Sequence, residues 1–222
     1  MKPNTCGLIR NFRIISLYKG IRTEVKFMEK KLKTNLQLNT KQIAIIGMLS
    51  AISILLGVTR IGFIPIPPVN ATIMHVPVII GAILEGPVVG ASIGFIFGIF
   101  SVINAMTNST PLSFVFMNPI VSVLPRILIG IISYYCYRLA FVKFSSFKIA
   151  LGAVVGSLIN TFGVLGLMYL IYVEKYAKIF NISVPAAKKA IFGIGVANGI
   201  PEAILSAAIA IPVVTAIKKL RK

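Results

Sequence analysis

The sequence predicts an all-α membrane protein, a bundle of about six transmembrane helices with both termini in the cytoplasm. Three observations carry that class. Of 222 residues, 57% are hydrophobic and 13% charged, whereas a soluble domain carries about 25% charged residues. The apolar residues are gathered into runs near the ~20 residues that cross the hydrocarbon. The basic residues mostly stand outside those runs. Mean hydropathy, at +0.92, agrees. A soluble enzyme, a nucleic-acid-binding domain and a disordered tail are excluded as readings of the whole chain.

The net charge of +18 comes from 23 Lys and Arg against 5 Asp and Glu. In a membrane protein such an excess collects at cytoplasmic helix ends, beside anionic headgroups. Ten basic residues lie between Lys2 and Lys41, and Lys218, Lys219, Arg221 and Lys222 close the chain. The partner this charge implies is the lipid bilayer, not nucleic acid.

Residues 1–40 form a basic cytoplasmic arm and residues 41–222 the membrane domain. The arm is no secretory signal, because its charged stretch is too long and no cleavage site follows an apolar core. Leu8, Ile9, Ile14, Ile15 and Leu17 among Lys and Arg suit an amphipathic helix lying on the membrane. Met28 opens Met-Glu-Lys-Lys, an ordinary cytoplasmic start, so residues 1–27 also read as an over-long start.

Six apolar runs follow. They cover roughly 42–59, 71–85 (short, with Pro77), 87–105, 112–139 (with Pro119 and Pro125), 147–173 and 190–217 (with Pro201 and Pro212). An even number places both termini on one side. That side holds the ten basic residues from Lys2 to Lys41, then Arg138, Lys143 and Lys148, and the four at the end. The other side holds five: Arg60, Lys175, Lys178, Lys188 and Lys189. The excess assigns the termini to the cytoplasm. Four lysines between the fifth and sixth runs oppose it without reversing it.

Between the first two runs, Arg60 to Thr72 reads Arg-Ile-Gly-Phe-Ile-Pro-Ile-Pro-Pro-Val-Asn-Ala-Thr. Three prolines prevent a helix, yet the segment stays apolar. It is expected to fold back over the outer mouth of the bundle, the alternative being a stiff interfacial turn.

Small residues mark two helix faces. Gly86, Gly90, Gly94 and Gly98 recur every four residues in the third run, where another backbone can approach closely. Ala44, Gly47 and Ala51 line the first run, either for packing inside the bundle or for contact with another protein. The third run also spells Gly90-Ala-Ser92-Ile-Gly94, a hydrolase-like G-x-S-x-G. A nucleophile needs a base in reach, and the chain's one histidine, His75, stands a short run earlier. The glycine repeat already accounts for the match, so the chain is not expected to be an enzyme. No G-x-x-x-x-G-K-[ST] loop occurs, so any ATP-driven work belongs to other subunits. Cys6 and Cys136 have neither disulfide-framework nor metal spacing; no metal or cofactor is expected.

Ionisable groups inside apolar runs are functional-site candidates, since burying them costs several kcal/mol unless they are paired. Arg126 follows Pro125 in the fourth run and Glu202 follows Pro201 in the sixth. Asn118, Asn160 and Asn198 fall in the fourth, fifth and sixth. With His75 and Asn70, these form the candidate substrate-binding set. One cation, one anion and several amides suit a small, hydrogen-bond-rich, anionic solute. An internal Arg126–Glu202 pair is the alternative.

Two strings add a resemblance. Ala71-Thr-Ile-Met-His-Val-Pro-Val-Ile-Ile-Gly-Ala-Ile-Leu-Glu-Gly-Pro-Val-Val-Gly-Ala and Phe116-Met-Asn-Pro-Ile-Val-Ser-Val-Leu-Pro-Arg-Ile-Leu-Ile-Gly, with the Pro-rich loop and small-residue first run, resemble the substrate-binding S components of energy-coupling factor (ECF) vitamin transporters. The resemblance covers roughly residues 41–220 and is nearest the pantothenate type, with riboflavin or another vitamin as the alternative. It implies a six-helix protein of the bacterial cytoplasmic membrane that binds its vitamin at the outer side. It also implies docking of Ala44, Gly47 and Ala51 on a transmembrane coupling subunit that works with two ATPases. The family's Ala-x-x-x-Ala stands here as Gly47-x-x-x-Ala51. A stand-alone secondary transporter would be expected to show internal repeats, and the two halves share no motif.

Overall fold

The computed structural model describes residues 38–59, 62–66, 69–108, 113–140 and 144–221. The basic arm, and with it the amphipathic-helix expectation, lies outside the described residues. These form seven helices and a small hairpin: α1 (Thr40–Val58), β1 (Phe63–Ile66), β2 (Val69–Thr72), α2 (Val76–Glu85), α3 (Pro87–Thr107), α4 (Ser113–Phe116), α5 (Pro119–Leu139), α6 (Ser145–Ile179) and α7 (Val184–Leu220).

Five of these, α1, α3, α5, α6 and α7, are long and apolar enough to cross a membrane. The 19 residues of α1 span about 28 Å at a rise of 1.5 Å, close to the ~30 Å hydrocarbon. The 35 and 37 residues of α6 and α7 reach about 52 and 55 Å, well past any bilayer core. Hydropathy marked only their apolar middles. Backbone hydrogen bonding carries both helices on through Lys175, Lys178, Lys188 and Lys189.

The second apolar run departs most from expectation. Its first residues belong to β2, and only the ten residues of α2 are helical, with Pro77 in the first turn. At about 15 Å, α2 covers half a bilayer. Every residue from Val76 to Ile83 is buried, because α1, α3, α5, α6 and α7 all pack around it. A helix apolar on all sides belongs inside protein, and a half-length helix is tolerated at membrane depth only there. It is the core of the bundle.

The fourth run splits as well. Asn118 Oδ1 accepts from the Ile120 N–H at 3.0 Å and Pro119 takes the first helical position, so the chain stops α4 and starts α5 at this pair. The 60–72 segment also differs from a plain loop. Its described residues form an antiparallel hairpin running from Phe63 opposite Thr72 to Ile66 opposite Val69, closed by Ile73 N–H to Gly62 O at 2.9 Å.

Glycines set the tightest helix contact. Gly86, at φ 106°, makes the turn from α2 to α3 in a conformation that favours glycine. Beyond it, a Cβ on Gly90 would lie 3.0 Å from Gly130 Cα, one on Gly94 would lie 2.1 Å from Arg126 O, and one on Gly98 would lie 2.8 Å from Val123 Cα. The stripe therefore serves packing of α3 on α5.

The two ends of the bundle differ. At one, Arg221 pairs with Glu85 at 2.6 Å, and Gln42 Nε2 donates to Glu85 O at 3.5 Å, drawing the start of α1 and the end of α7 together. At the other stand the paired strands β1 and β2, the end of α3, the short α4 and the α6–α7 turn. Val115, Val121, Met168, Tyr176, Ala187 and Ile191 pack there into one buried cluster.

Candidate substrate-binding site

A cavity of about 490 Å³ opens in the half of the bundle nearer the hairpin, between α3, α5, α6 and α7. Arg126, Asn160, Asn198, Glu202 and His75 all line it. The sequence-derived set is thus largely brought together, from three helices and the start of a fourth. Two members stand apart. Asn118 caps α5 and donates from Nδ2 to Tyr172 Oη at 3.1 Å, outside the lining residues. The side chain of Asn70 lies outside the described residues.

Arg126 is 6% exposed. Its Nη1 donates to Val121 O at 3.2 Å. Its guanidinium carbon sits 5.7 Å from the Phe97 ring centroid and 5.6 Å from that of Phe116, distances at which an aromatic face attracts a cation. The alternative reading, an internal Arg126–Glu202 ion pair, does not form; the ion pair among the described residues is Arg221–Glu85.

Glu202 is engaged elsewhere. Its Oε1 accepts from the Thr72 N–H at 2.9 Å and from Thr72 Oγ1 at 2.7 Å, while Oε2 accepts from Thr161 Oγ1 at 2.7 Å. Three neutral donors thereby solvate a buried carboxylate and tie β2 to α7 and α6. Thr72 and Thr161 were missed in the sequence. A threonine in an apolar run has no local signal separating a hydrogen-bond donor from a filler.

His75 is 1% exposed, and its Nε2 lies 2.9 Å from Ser206 Oγ and 3.2 Å from Ser157 Oγ. Ser92 Oγ instead donates to Val88 O at 2.9 Å, within its own helix. The serine of the G-x-S-x-G string and the histidine are therefore not joined as nucleophile and base.

Four buried polar atoms around the cavity have no hydrogen-bond partner among the described residues: Arg126 Nε, His75 Nδ1, Asn160 Oδ1 and Asn198 Oδ1. An unmet buried polar atom costs about 1–3 kcal/mol, so this is a surface chemically suited to a hydrogen-bonding guest. Against it stand the rings of Phe97, Phe100 and Phe116. A pocket of mostly apolar wall with a few convergent polar groups is the common form of a small-molecule site.

The face of α1 behaves differently from that of α3. Ala44, Gly47 and Ala51 are all exposed, and a Cβ on Gly47 would meet nothing within 4 Å. Packing within the described bundle makes no use of this small-residue face.

A multi-pass helical bundle with a mixed polar and aromatic cavity in one half is the architecture of a membrane protein that handles a small solute. Residues 41–214 match the family model of the ECF transporter, substrate-specific component, and the chain belongs to that family, whose members serve transport, not catalysis. Over 119 residues it is 34% identical to the "Pantothenic acid transporter PanT" of Lactococcus lactis subsp. cremoris (strain MG1363). That match covers 47% of this chain and 59% of the relative, so it spans little more than half of the relative's length.

Proposed function

We propose that this protein is the subunit of an ECF-type importer that captures pantothenate at the outer side of the cell membrane. The observation that carries this is the buried Arg126, which lines one cavity of about 490 Å³ together with Asn160 and Asn198, within the range of about 300–1,000 Å³ usual for small-molecule sites. Pantothenate offers a carboxylate for the guanidinium and an amide N–H and two hydroxyls for amide oxygens. Its methyl-bearing carbon suits the phenylalanine wall. The relative named as a pantothenic acid transporter supports the same choice among vitamins.

Orientation follows from charge. The basic residues favour cytoplasmic termini, and Gln42 and Arg221 share the end of the bundle away from the cavity. The cavity then faces outward. Without a phosphate-binding loop, the protein depends on a coupling subunit and two ATPases, docked through Ala44, Gly47 and Ala51.

Equilibrium binding of pantothenate to the purified protein in detergent tests the reading, with riboflavin, thiamine and biotin as comparisons. Saturable pantothenate binding, competed by none of the other three, is expected. Binding of another vitamin in its place would overturn the assignment.

A further inference from the structure

The four lysines that run against the charge asymmetry, Lys175, Lys178, Lys188 and Lys189, gain a position in the fold. All are exposed, with Glu174 the single acid on the same tip of α6 and α7. The two helices are antiparallel neighbours, so the last turns of α6 and the first turns of α7 project from the same end. Leu165 and Asn198, both lining the cavity, lie ten residues before Lys175 and ten after Lys188. At 1.5 Å per residue that is about 15 Å along each helix.

The tip also touches the rim. Lys175 Nζ lies 4.6 Å from the ring centroid of Phe114, a residue of α4 between Ser113 and Phe116, which both line the cavity. Lys188 Nζ lies 5.6 Å from the Tyr169 ring. Aromatic faces thus hold two of the ammonium groups beside α4 and α6, although neither is an ion-pair partner for a carboxylate among the described residues. The buried cluster beneath the tip carries no charged group: it is Val, Met, Tyr, Ala and Ile.

We infer that these lysines form an electropositive rim that steers an organic anion into the cavity, raising its association rate without holding it once bound. The inference rests on the anionic ligand proposed above. Magnitudes separate the two stages. The screening length is about 8 Å at 0.15 M salt and about 30 Å near 0.01 M. A ligand seated at Arg126 is therefore largely shielded from the rim at physiological salt, while one approaching past Phe114 is not. A cleft mouth lined by charge opposite to the ligand's accelerates association on the order of tenfold or more.

The test is stopped-flow binding of pantothenate to the full chain in nanodiscs of zwitterionic phosphatidylcholine, with salt varied from about 0.02 to about 0.5 M, the range over which screening changes most. The parent is compared with the quadruple Lys→Gln and Lys→Glu variants. Expected are an association rate falling with salt in the parent, a drop of about three- to tenfold in the Lys→Gln variant at low salt, and a rate rising with salt in the Lys→Glu variant. Dissociation rates at 0.15 M should agree across all three. Association equal in all three at low salt would overturn the inference and leave the vitamin reading intact. Absence of pantothenate binding by the parent would overturn both. A fourth arm adds anionic phosphatidylglycerol. Loss of the salt dependence only in that arm would mean that lipid headgroups compete for the rim, whereas its loss in phosphatidylcholine too would count against steering.

Discussion

Arg126 donates from Nη1 to the carbonyl oxygen of Val121 at 3.2 Å, and Pro125 is the reason that carbonyl needs a donor. Proline has no N–H, so the residue four before it, Val121, loses its helical partner. The next residue supplies a replacement from its own side chain. A proline that would weaken a plain helix thus fixes the direction of the cation, with Phe97 and Phe116 flanking it.

Arg126→Gln should weaken pantothenate binding by about ten- to a hundredfold, since a charge-assisted hydrogen bond is worth about 1.5–3 kcal/mol. Arg126→Lys should recover little, because a lysine cannot serve Val121 O and a carboxylate in the same planar arrangement. Calorimetric titration alongside thermal unfolding checks both. Unchanged affinity in a well-folded Gln variant would make Arg126 purely structural.

Glycine substitutions on the two small-residue faces should part company. Gly94→Ala puts a methyl 2.1 Å from Arg126 O, and overpacking of this kind costs about 1–3 kcal/mol. Gly47→Ala meets nothing within 4 Å and should leave stability of the isolated protein within about 0.5 kcal/mol. Melting of the two variants in one detergent decides; equal losses would contradict the different packing of α1 and α3.

At the α1 face, Gly47→Leu and Ala51→Leu should block assembly with the coupling subunit while leaving pantothenate affinity nearly intact. Close backbone approach between membrane helices depends on small side chains. Pull-down of the coupling module, with binding measured in parallel, reads out both effects. Assembly at parental levels in both variants would place the docking surface elsewhere.

Glu202 should behave as the anchor of the hairpin. Thr72→Val removes a hydroxyl donor 2.7 Å from the carboxylate, and hydrogen bonds to charged groups contribute about 1.5–3 kcal/mol. Amide exchange over 62–73 should rise by about tenfold or more, and pantothenate should slow it in the parent. Exchange that responds to neither change would mean that the hairpin is held by other contacts and is indifferent to the ligand.

Much of this protein was legible in residue order alone. Composition and run length determine that it lives in a membrane, because ~20 apolar residues with few charges have no other stable solvent. The ends of α1 and the course of α3 follow from the same local signal. Arg126, Asn160 and Asn198 were identifiable because a polar group in an apolar run is costly wherever the run goes. Tertiary structure alone decided what each polar group meets. Glu202 takes its donor from Thr72, 130 residues away, instead of pairing with Arg126, and Asn118 caps a helix instead of facing the cavity. It also decided that the second apolar run is a half-length helix wrapped by five others. These outcomes depend on how closely backbones approach, as at Gly94 against Arg126. Hydropathy registers transfer from water to an apolar medium one residue at a time, and it carries no term for which distant donor arrives.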